Sequence, residues 1–172
     1  MKGPTAAQLI EHLRLERLTF EGGHFLQTYV AAESIAAEAL PARYGGPRKL
    51  GSAIYYLLTS EPDSFSALHR LQTDEIHHFY LGDPVEMLLL HPDGRGERIV
   101  LGPDILGGQY VQFVVPRGVW QGSRLVYGGS FALMGTTMAP GFDFADWTEG
   151  NRDALVQEYP EPAELIRALT RQ

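Results

Sequence analysis

Between residues 52 and 138 the chain is a close succession of short apolar and aromatic runs broken by turn chemistry, and this rhythm limits its fold more than any other feature. The runs are 52–59 (SAIYYLLT), 65–72 (FSALHRLQ), 75–81 (EIHHFYL), 85–91 (VEMLLLH), 97–101 (ERIVL), 110–115 (YVQFVV), 123–127 and 130–138 (SFALMGTTM). The breaks carry Glu61-Pro62-Asp63-Ser64, Gly82-Asp83-Pro84, Pro92-Asp93-Gly94, Pro103-Asp104, Pro116-Arg117-Gly118 and Gly128-Gly129. Such residues fix φ or bond their own backbone in turns. Many short strands at this spacing predict an all-β sandwich or barrel. A further strand is expected over 24–30, after a Glu21-Gly22-Gly23 turn.

Helices are expected only at the ends. Thr5 with Gln8 reads as a capping box, and Leu9, Ile10 and Leu13 share one face of an N-terminal helix within 5–18. In the tail, 151–170, Asn151 reads as a cap and Pro162 as the first position of a helix whose apolar face is Leu165, Ile166 and Leu169. The barrel and its lid then occupy 24–147. No repeat, low-complexity run or linker interrupts the chain, so residues 1–172 are read as a single domain of ordinary size.

Composition excludes several classes. With no cysteine there is no disulfide framework, thiol nucleophile or thiolate metal site. The net charge is −7 and the 14 basic residues are scattered, which argues against nucleic-acid binding. Met1-Lys2-Gly3-Pro4 leads straight into the amphipathic segment, and no apolar stretch approaches ~20 residues, so neither secretion nor membrane spanning is expected and the cytoplasm is the expected location.

Four of the six histidines, His69, His77, His78 and His91, lie in one central region with Glu75 among them. Strand alternation puts Phe65, Ala67, His69 and Leu71 on one face, and Glu75, His77, Phe79 and Leu81 on one face of the next strand. If these strands pair antiparallel around Thr73-Asp74, His69 and Glu75 point into a common interior; His78 faces the other way unless a bulge intervenes. An imidazole beside a carboxylate suits proton transfer. It suits metal binding only if three or more donors converge. The competing reading makes His69 and His77 hydrogen-bonded core histidines and pairs Glu75 with a surface arginine.

Residues 65–82, with His69, Glu75 and Gly82, resemble the first cupin motif, a histidine followed by a glutamate and then a glycine. Residues 112–121, with Pro116-Arg-Gly118 and Gln121, resemble the second, whose Pro-x-Gly turn normally precedes a histidine. Within the cupins the chain is similar to the cupin-five family. The shared pattern is Glu21-Gly-Gly, Ser52-Ala-Ile-Tyr-Tyr-Leu-Leu, Asp74-Glu-Ile-His-His-Phe-Tyr-x-Gly-Asp-Pro84, Val-Val-Pro-x-Gly-Val-Trp-Gln121 and Ala139-Pro-Gly-Phe-Asp-Phe-Ala-Asp-Trp147. The resemblance implies a double-stranded β-helix, a jelly-roll barrel of two facing antiparallel sheets with short terminal helices and one polar pocket inside. It also implies a homodimer, in which the strand at 24–30 or the strand near 52–58 extends a sheet of the partner and covers an edge.

The departures bear on cofactors. A metal-binding cupin offers His-x-His, a glutamate and a later histidine; here Leu71 and Gln121 occupy two of those places. Leucine cannot donate and a glutamine carbonyl is a weak ligand for a transition metal. No cofactor is therefore firmly expected, and a divalent metal on His69, Glu75 and His77 is the lesser alternative. Leu68-His69-Arg-Leu-Gln72 also resembles the histidine motif of the dTDP-4-keto-sugar 3,5-epimerases, which are metal-free cupins. That likeness implies His69 as a base beside a ketone, with Glu75 as its partner. The matching tyrosine is open among Tyr55, Tyr56, Tyr80 and Tyr110; Arg48, Arg70 and Arg117 are candidate diphosphate ligands.

The expected function is binding of a small polar, sugar-related molecule in the barrel, as a metal-independent isomerase or epimerase. His69 and Glu75 would be catalytic, and Gln112, Gln121, His77, His78, Tyr56, Ser52 and Phe142 substrate-binding. The alternatives are a non-catalytic metabolite or sugar sensor, and a metal-dependent oxygenase or lyase. Trp120, Phe79 and Phe142 are read as stacking or core aromatics, and 141–147 as a lid over the barrel mouth with Asp143 capping a turn. The inward face of the 52–59 strand is left open.

Overall fold

All eight central runs become strands: β5 Ser52–Thr59, β6 Ser66–Leu71, β7 Glu75–Gly82, β8 Val85–Leu90, β9 Gly96–Leu101, β10 Gln112–Val115, β11 Trp120–Leu125 and β12 Phe131–Met138. They are preceded by α1 Ala6–Leu13, β1 Glu16–Arg17, β2 His24–Val30, β3 Ser34–Ile35 and β4 Arg48–Lys49, and followed by β13 Trp147–Glu149, α2 Arg152–Glu158 and α3 Ala163–Ala168. This is a computed structural model, and it describes residues 3–171; Met1 and Lys2, which entered the reading of the N-terminus, lie outside them. Strand β11 starts earlier than the sequence suggests, because Gly118, at φ 80°, completes the Pro116 turn and Trp120 already pairs with Arg70 and Leu90.

Two antiparallel sheets face each other as a jelly-roll. Their strand orders are β1-β2-β5-β12-β7-β10 and β13-β6-β11-β8-β9; β3 and β4 form a separate ribbon. The main core lies between the sheets, where Tyr56, Phe79 and Met134 of one meet Val85, Met87 and Leu89 of the other. The outer faces are covered by the ends of the chain. Leu57 and Leu133 pack under α1 beside Leu9. Leu68, Leu88 and Leu90 pack under α2 and α3 against Leu155, Tyr159 and Ile166. This explains why β8 reads as an almost unbroken apolar run: both of its faces are buried, each leucine worth roughly 1.5–3 kcal/mol.

The terminal helices keep their predicted caps. Thr5 and Gln8 form the capping box, and the Asn151 side chain accepts from the Ala154 N–H at 3.0 Å. Helix α1 is shorter than the expected 5–18, because Arg14 turns left-handed at φ 55°. The chain after it drops Leu15 and Leu18 into the two cores and lets Glu16–Arg17 pair with β2. Pro162 is the N-cap of α3 rather than its first residue. No helix among the described residues is long and apolar enough to cross a membrane.

Two expected pairings are corrected. Strands β6 and β7 do not form a hairpin: β6 lies between β13 and β11, β7 between β12 and β10, in opposite sheets. The three residues between them make a corner. Thr73 is buried and donates to the Tyr44 hydroxyl at 3.0 Å, while Asp74 Oδ1 accepts from the Arg117 N–H at 2.8 Å. Strand β5 is central, between β2 and β12, so it cannot extend a partner's sheet. Strand β2 can, since β1 covers only His24 and Phe25 and leaves the exposed Tyr29 and Val30 beyond it.

Candidate active site in the barrel

Between the sheets lies a cavity of about 260 Å³. Because β6 and β7 face each other across it, alternation aims His69 from one wall and Glu75 and His77 from the other. The same alternation settles the inner face of β5: Ser52, Ile54 and Tyr56 turn toward the interior, while Leu57 turns out beneath α1. His69, Glu75 and His77 are all at least nine-tenths buried.

Hydrogen bonds fix the protons. His69 Nδ1 donates to the Ala67 carbonyl at 2.8 Å, so Nε2 is the nitrogen left to titrate, 3.9 Å from Glu75 Oε2. On the facing wall, His77 Nε2 donates to Gln121 Oε1 at 2.8 Å, and Gln121 Nε2 donates to Glu75 Oε2 at 2.7 Å. His77 Nε2 is 3.5 Å from the same Glu75 oxygen. One buried carboxylate thus serves two imidazoles, with an amide locking the set.

A second carboxylate enters from the turn before β2. Glu21 lines the cavity, its Oε1 accepting from Ser66 Oγ at 2.6 Å and standing 3.9 Å from His69 Nδ1. Its backbone carbonyl accepts from the Ala67 N–H at 2.9 Å. Gly22, at φ 114°, lies so close to the Phe65 carbonyl that a Cβ would collide with it, and the Tyr56 hydroxyl donates to the Gly22 carbonyl at 3.0 Å. The Glu-Gly-Gly sequence is therefore what brings this acid to the pocket.

The charges follow from this geometry. Burial alone would lower the pKa of His69, but Glu21 and then Glu75 outweigh it and push it up to about 9. Burial likewise opposes ionisation of Glu75, yet His77 and His69 hold it well below the usual carboxylate range. His77 is raised by Glu75 against the cost of its own burial. The Tyr56 phenol is pushed well up by burial, with Glu21 adding to the effect.

This donor set does not fit a metal. Leu71 lines the cavity where a metal cupin has a histidine, and the Gln121 amide occupies both Glu75 Oε2 and His77 Nε2. His77 Nε2, protonated by that contact, offers no lone pair. Among the described residues no group of three or more His, Cys, Asp or Glu side chains is arranged to hold an ion.

Of the residues singled out from the sequence, His69, Glu75, His77, Ser52, Tyr56 and Phe142 line the cavity. Gln121 is buried beside it, bridging Glu75 and His77. His78 and Gln112 do not join them. The register of β7 with β12 is unbroken from Glu75 through Phe79, so no bulge turns His78 inward. It lies on the outer face, 3.0 Å from Thr137 Oγ1 and accepting from Gln112 Nε2 at 3.2 Å. Tyr55 and Tyr80 pair edge to face and Tyr110 packs on Phe113, outside the pocket. Arg48 makes a buried salt bridge to Asp146 at 2.6 Å, Arg70 stacks on Trp120, and the Arg117 backbone bonds Asp74; none of the three lines the cavity. Phe79 is core.

Segment 141–147 closes one side of the mouth. Asp143 caps its turn, Ser52 Oγ accepts from the Phe142 N–H at 2.9 Å, and the Arg48–Asp146 pair anchors it. Phe142 and Phe144 face the cavity, and Trp147 stacks on His69 with centroids 6.4 Å apart. Sequence reasoning missed Glu21, Ser66 and the aromatics Phe20, Phe25 and Phe144. The one available signal for Glu21 was its place in the Glu-Gly-Gly element of the family pattern.

The family model described as "Cupin superfamily (DUF985)" matches residues 7–149. "Uncharacterized protein YML079W" of Saccharomyces cerevisiae is 32% identical over 150 residues, 82% of this chain and 70% of that one. Protein SO0799 from Shewanella oneidensis, solved by X-ray crystallography, superposes with a TM-score of 0.83 at 31% identity, covering 98% of this chain and 99% of that one. A dTDP sugar isomerase from Desulfovibrio desulfuricans reaches a TM-score of 0.51 at 19% identity over 76% of this chain and 85% of that one, a likeness of fold alone. With the matched span running through the Glu-Gly-Gly turn, both histidine strands and the segment that walls the mouth, the chain belongs to the DUF985 family of the cupin superfamily.

Proposed function

We propose that the barrel binds one small hydroxylated molecule carrying a carbonyl group, and that the buried His69–Glu75 pair moves a proton on it without a metal, as an isomerase or epimerase does. The observation that carries this reading is the direction of His69 Nε2, held into an enclosed cavity by the Nδ1 bond to Ala67 and kept charged by flanking carboxylates. At about 260 Å³ the cavity lies below the ~300–1,000 Å³ usual for drug-sized ligands. It suits a free sugar or smaller molecule, not a nucleotide sugar. The remote isomerase neighbour supports the fold that can do this chemistry and nothing narrower.

One role changes from the sequence expectation. A general base must be neutral, and a pKa of about 9 leaves His69 protonated at neutral pH. His69 enters as the donor that protonates a carbonyl oxygen. The test is exchange of the C–H next to the carbonyl for solvent deuterium, read by proton NMR on dihydroxyacetone and a panel of free aldoses and ketoses. His69→Gln is expected to slow exchange by about a hundred-fold or more. Binding of a panel member without any exchange would leave a sensor, not an enzyme.

We further propose that the protein is a homodimer joined along the open half of β2. A lysine at Tyr29 or Val30 is expected to shift it to a monomer by size-exclusion chromatography with light scattering; an unchanged mass would remove β2 from the interface.

A further inference from the structure

Glu21 has no part in the His77–Gln121–Glu75 lock. Ser66 holds one of its oxygens, and among the described residues the other accepts no hydrogen bond. Its contact with His69 Nδ1, at 3.9 Å, is too long for a hydrogen bond, and that nitrogen already donates to Ala67. Glu21 is therefore not what orients the ring. Yet its backbone carbonyl is clamped from two directions, by the Ala67 N–H at 2.9 Å and the Arg171 guanidinium at 3.2 Å, and two glycines at positive φ follow it directly. The fold places an acid at the cavity wall and leaves half of it free.

We propose that Glu21 is the group that takes a proton from carbon while His69 protonates the neighbouring carbonyl oxygen, on an uncharged hydroxycarbonyl ligand. This rests on the reading of the barrel given above. In the step, the C–H bond next to the carbonyl breaks and its electron pair becomes the C=C bond of an enediol. The carbonyl π pair moves to oxygen, which takes the Nε2 proton of His69. The proton held by Glu21 exchanges with solvent and is delivered on the same face to the adjacent carbon, while the now neutral His69 Nε2 takes the proton of the other enediol oxygen, which becomes the new carbonyl. Both groups recover their starting charge; return to the original carbon instead regenerates the starting compound with deuterium in place. Nothing is oxidised or reduced overall, and no co-reactant is needed.

Glu75 is a poorer base. Its Oε2 accepts from Gln121 and faces both imidazoles, so protonating it would uncouple the whole lock. The ligand's lack of charge follows from the walls. The lining includes no lysine or arginine but two glutamates, among apolar and aromatic side chains such as Phe25, Phe142 and Phe144. The guanidinium of Arg171, near Glu21, is turned onto Phe65 and two backbone carbonyls. A phosphate or carboxylate would be desolvated there beside two glutamates, and the only cationic groups facing it are imidazoles already matched to those carboxylates.

The test is the same deuterium exchange, on dihydroxyacetone and the free sugars and on their phosphate esters, for wild type, Glu21→Gln, Glu21→Asp and His69→Gln. Folding is checked by the unchanged imidazole resonances of His78 and His91. Glu21→Gln is expected to lose about a hundred-fold in exchange at every pH from about 6 to about 9, with partial recovery in Glu21→Asp and no activity of wild type on the esters. If Glu21→Gln keeps the rate and merely moves its pH optimum, Glu21 tunes His69 by charge and this inference fails while the barrel reading stands. Preference for the esters would overturn the ligand class in the same way. Failure of wild type to exchange any compound would sink the barrel reading, and this inference with it.

Discussion

The half of the barrel built on β8 and β9 is solid, and the half enclosed by β5, β6, β7 and β12 is hollow. Both use the same alternation. Inward positions of β8 and β9 are Val85, Met87, Leu89, Ile99 and Leu101, all buried in the common core and none lining the cavity. The corresponding positions across the barrel include Ser52, His69, Glu75, His77 and Thr136. The strand pattern that makes a jelly-roll is indifferent to which of these it carries, provided the polar groups find partners. Here they do: Gln121 serves Glu75 and His77, Ser66 serves Glu21, and Ala67 serves His69. One side of the barrel thus carries a polar network around a cavity where the other carries packing.

The sharpest way to break this contrast is to truncate one leucine in each half. Leu89→Ala, in the solid half, should cost about 2–5 kcal/mol in urea unfolding, from lost transfer energy plus the cavity left behind. Leu71→Ala, at the cavity wall, should cost roughly 1–2 kcal/mol, because its neighbours on one side are already missing. Equal losses would mean that the hollow half is as tightly packed as the other.

The polar network should also give stability a pH profile that the solid half cannot. The folded pKa of His69 is raised to about 9, so its contribution is complete below ~6.5 and is lost as pH rises through about 9. A shift of that size amounts to up to about 3 kcal/mol between neutral and strongly alkaline pH. The folded pKa of Glu75 is depressed, so its contribution is present above the ordinary carboxylate range and is lost as pH falls. Unfolding free energy measured against pH should therefore decline on both flanks, and His69→Gln should flatten the alkaline one. An alkaline flank unchanged in His69→Gln would contradict the charge assignment.

Restoring the missing ligands tests what keeps this pocket from being a metal site. Leu71→His with Gln121→His supplies imidazoles at both departures from the metal-cupin pattern and frees Glu75 from its amide. The double variant should be stabilised by nickel or manganese, by about 2.7 kcal/mol at a hundred times Kd, and the wild type should not. A wild type that shifts as far would show that the amide lock does not exclude metal.

How much of this could be read beforehand depended on the range of the interactions. Strands β2 and β5 begin and end where their alternation and turns predict, and alternation also put His69, Glu75 and His77 on inward faces. The partner of β6 was not legible. Gln72-Thr73-Asp74 reads as a hairpin locally, and becomes a corner only through Tyr44 and Arg117, far away in the chain. Glu21 was hidden for the same reason: its partner Ser66 is 45 residues away, and nothing local distinguishes a glutamate in a turn from one aimed at a cavity. Arg48 looked free for a ligand because Asp146, its buried partner, is 98 residues distant.

His77 and His78 carry the contrast down to adjacent residues, where its effect is smallest. His77 points in and Glu75 raises its pKa; His78 points out, and partial burial with the neighbouring His77 charge lowers its own. Titrated by NMR, the two imidazoles should therefore move to opposite sides of ~6.5 although one peptide bond joins them. His78→Ala should change unfolding free energy by no more than about 0.5 kcal/mol and leave the His77 titration in place, since the neighbours of His78, namely Thr137, Gln112 and the Tyr80 ring, lie on the outer face. His77→Gln should instead raise the His78 midpoint slightly by removing a positive charge. If both histidines titrated on the same side, β7 would not separate a charged interior from a wet exterior, and the hollow half of the barrel would be open to water along its whole wall.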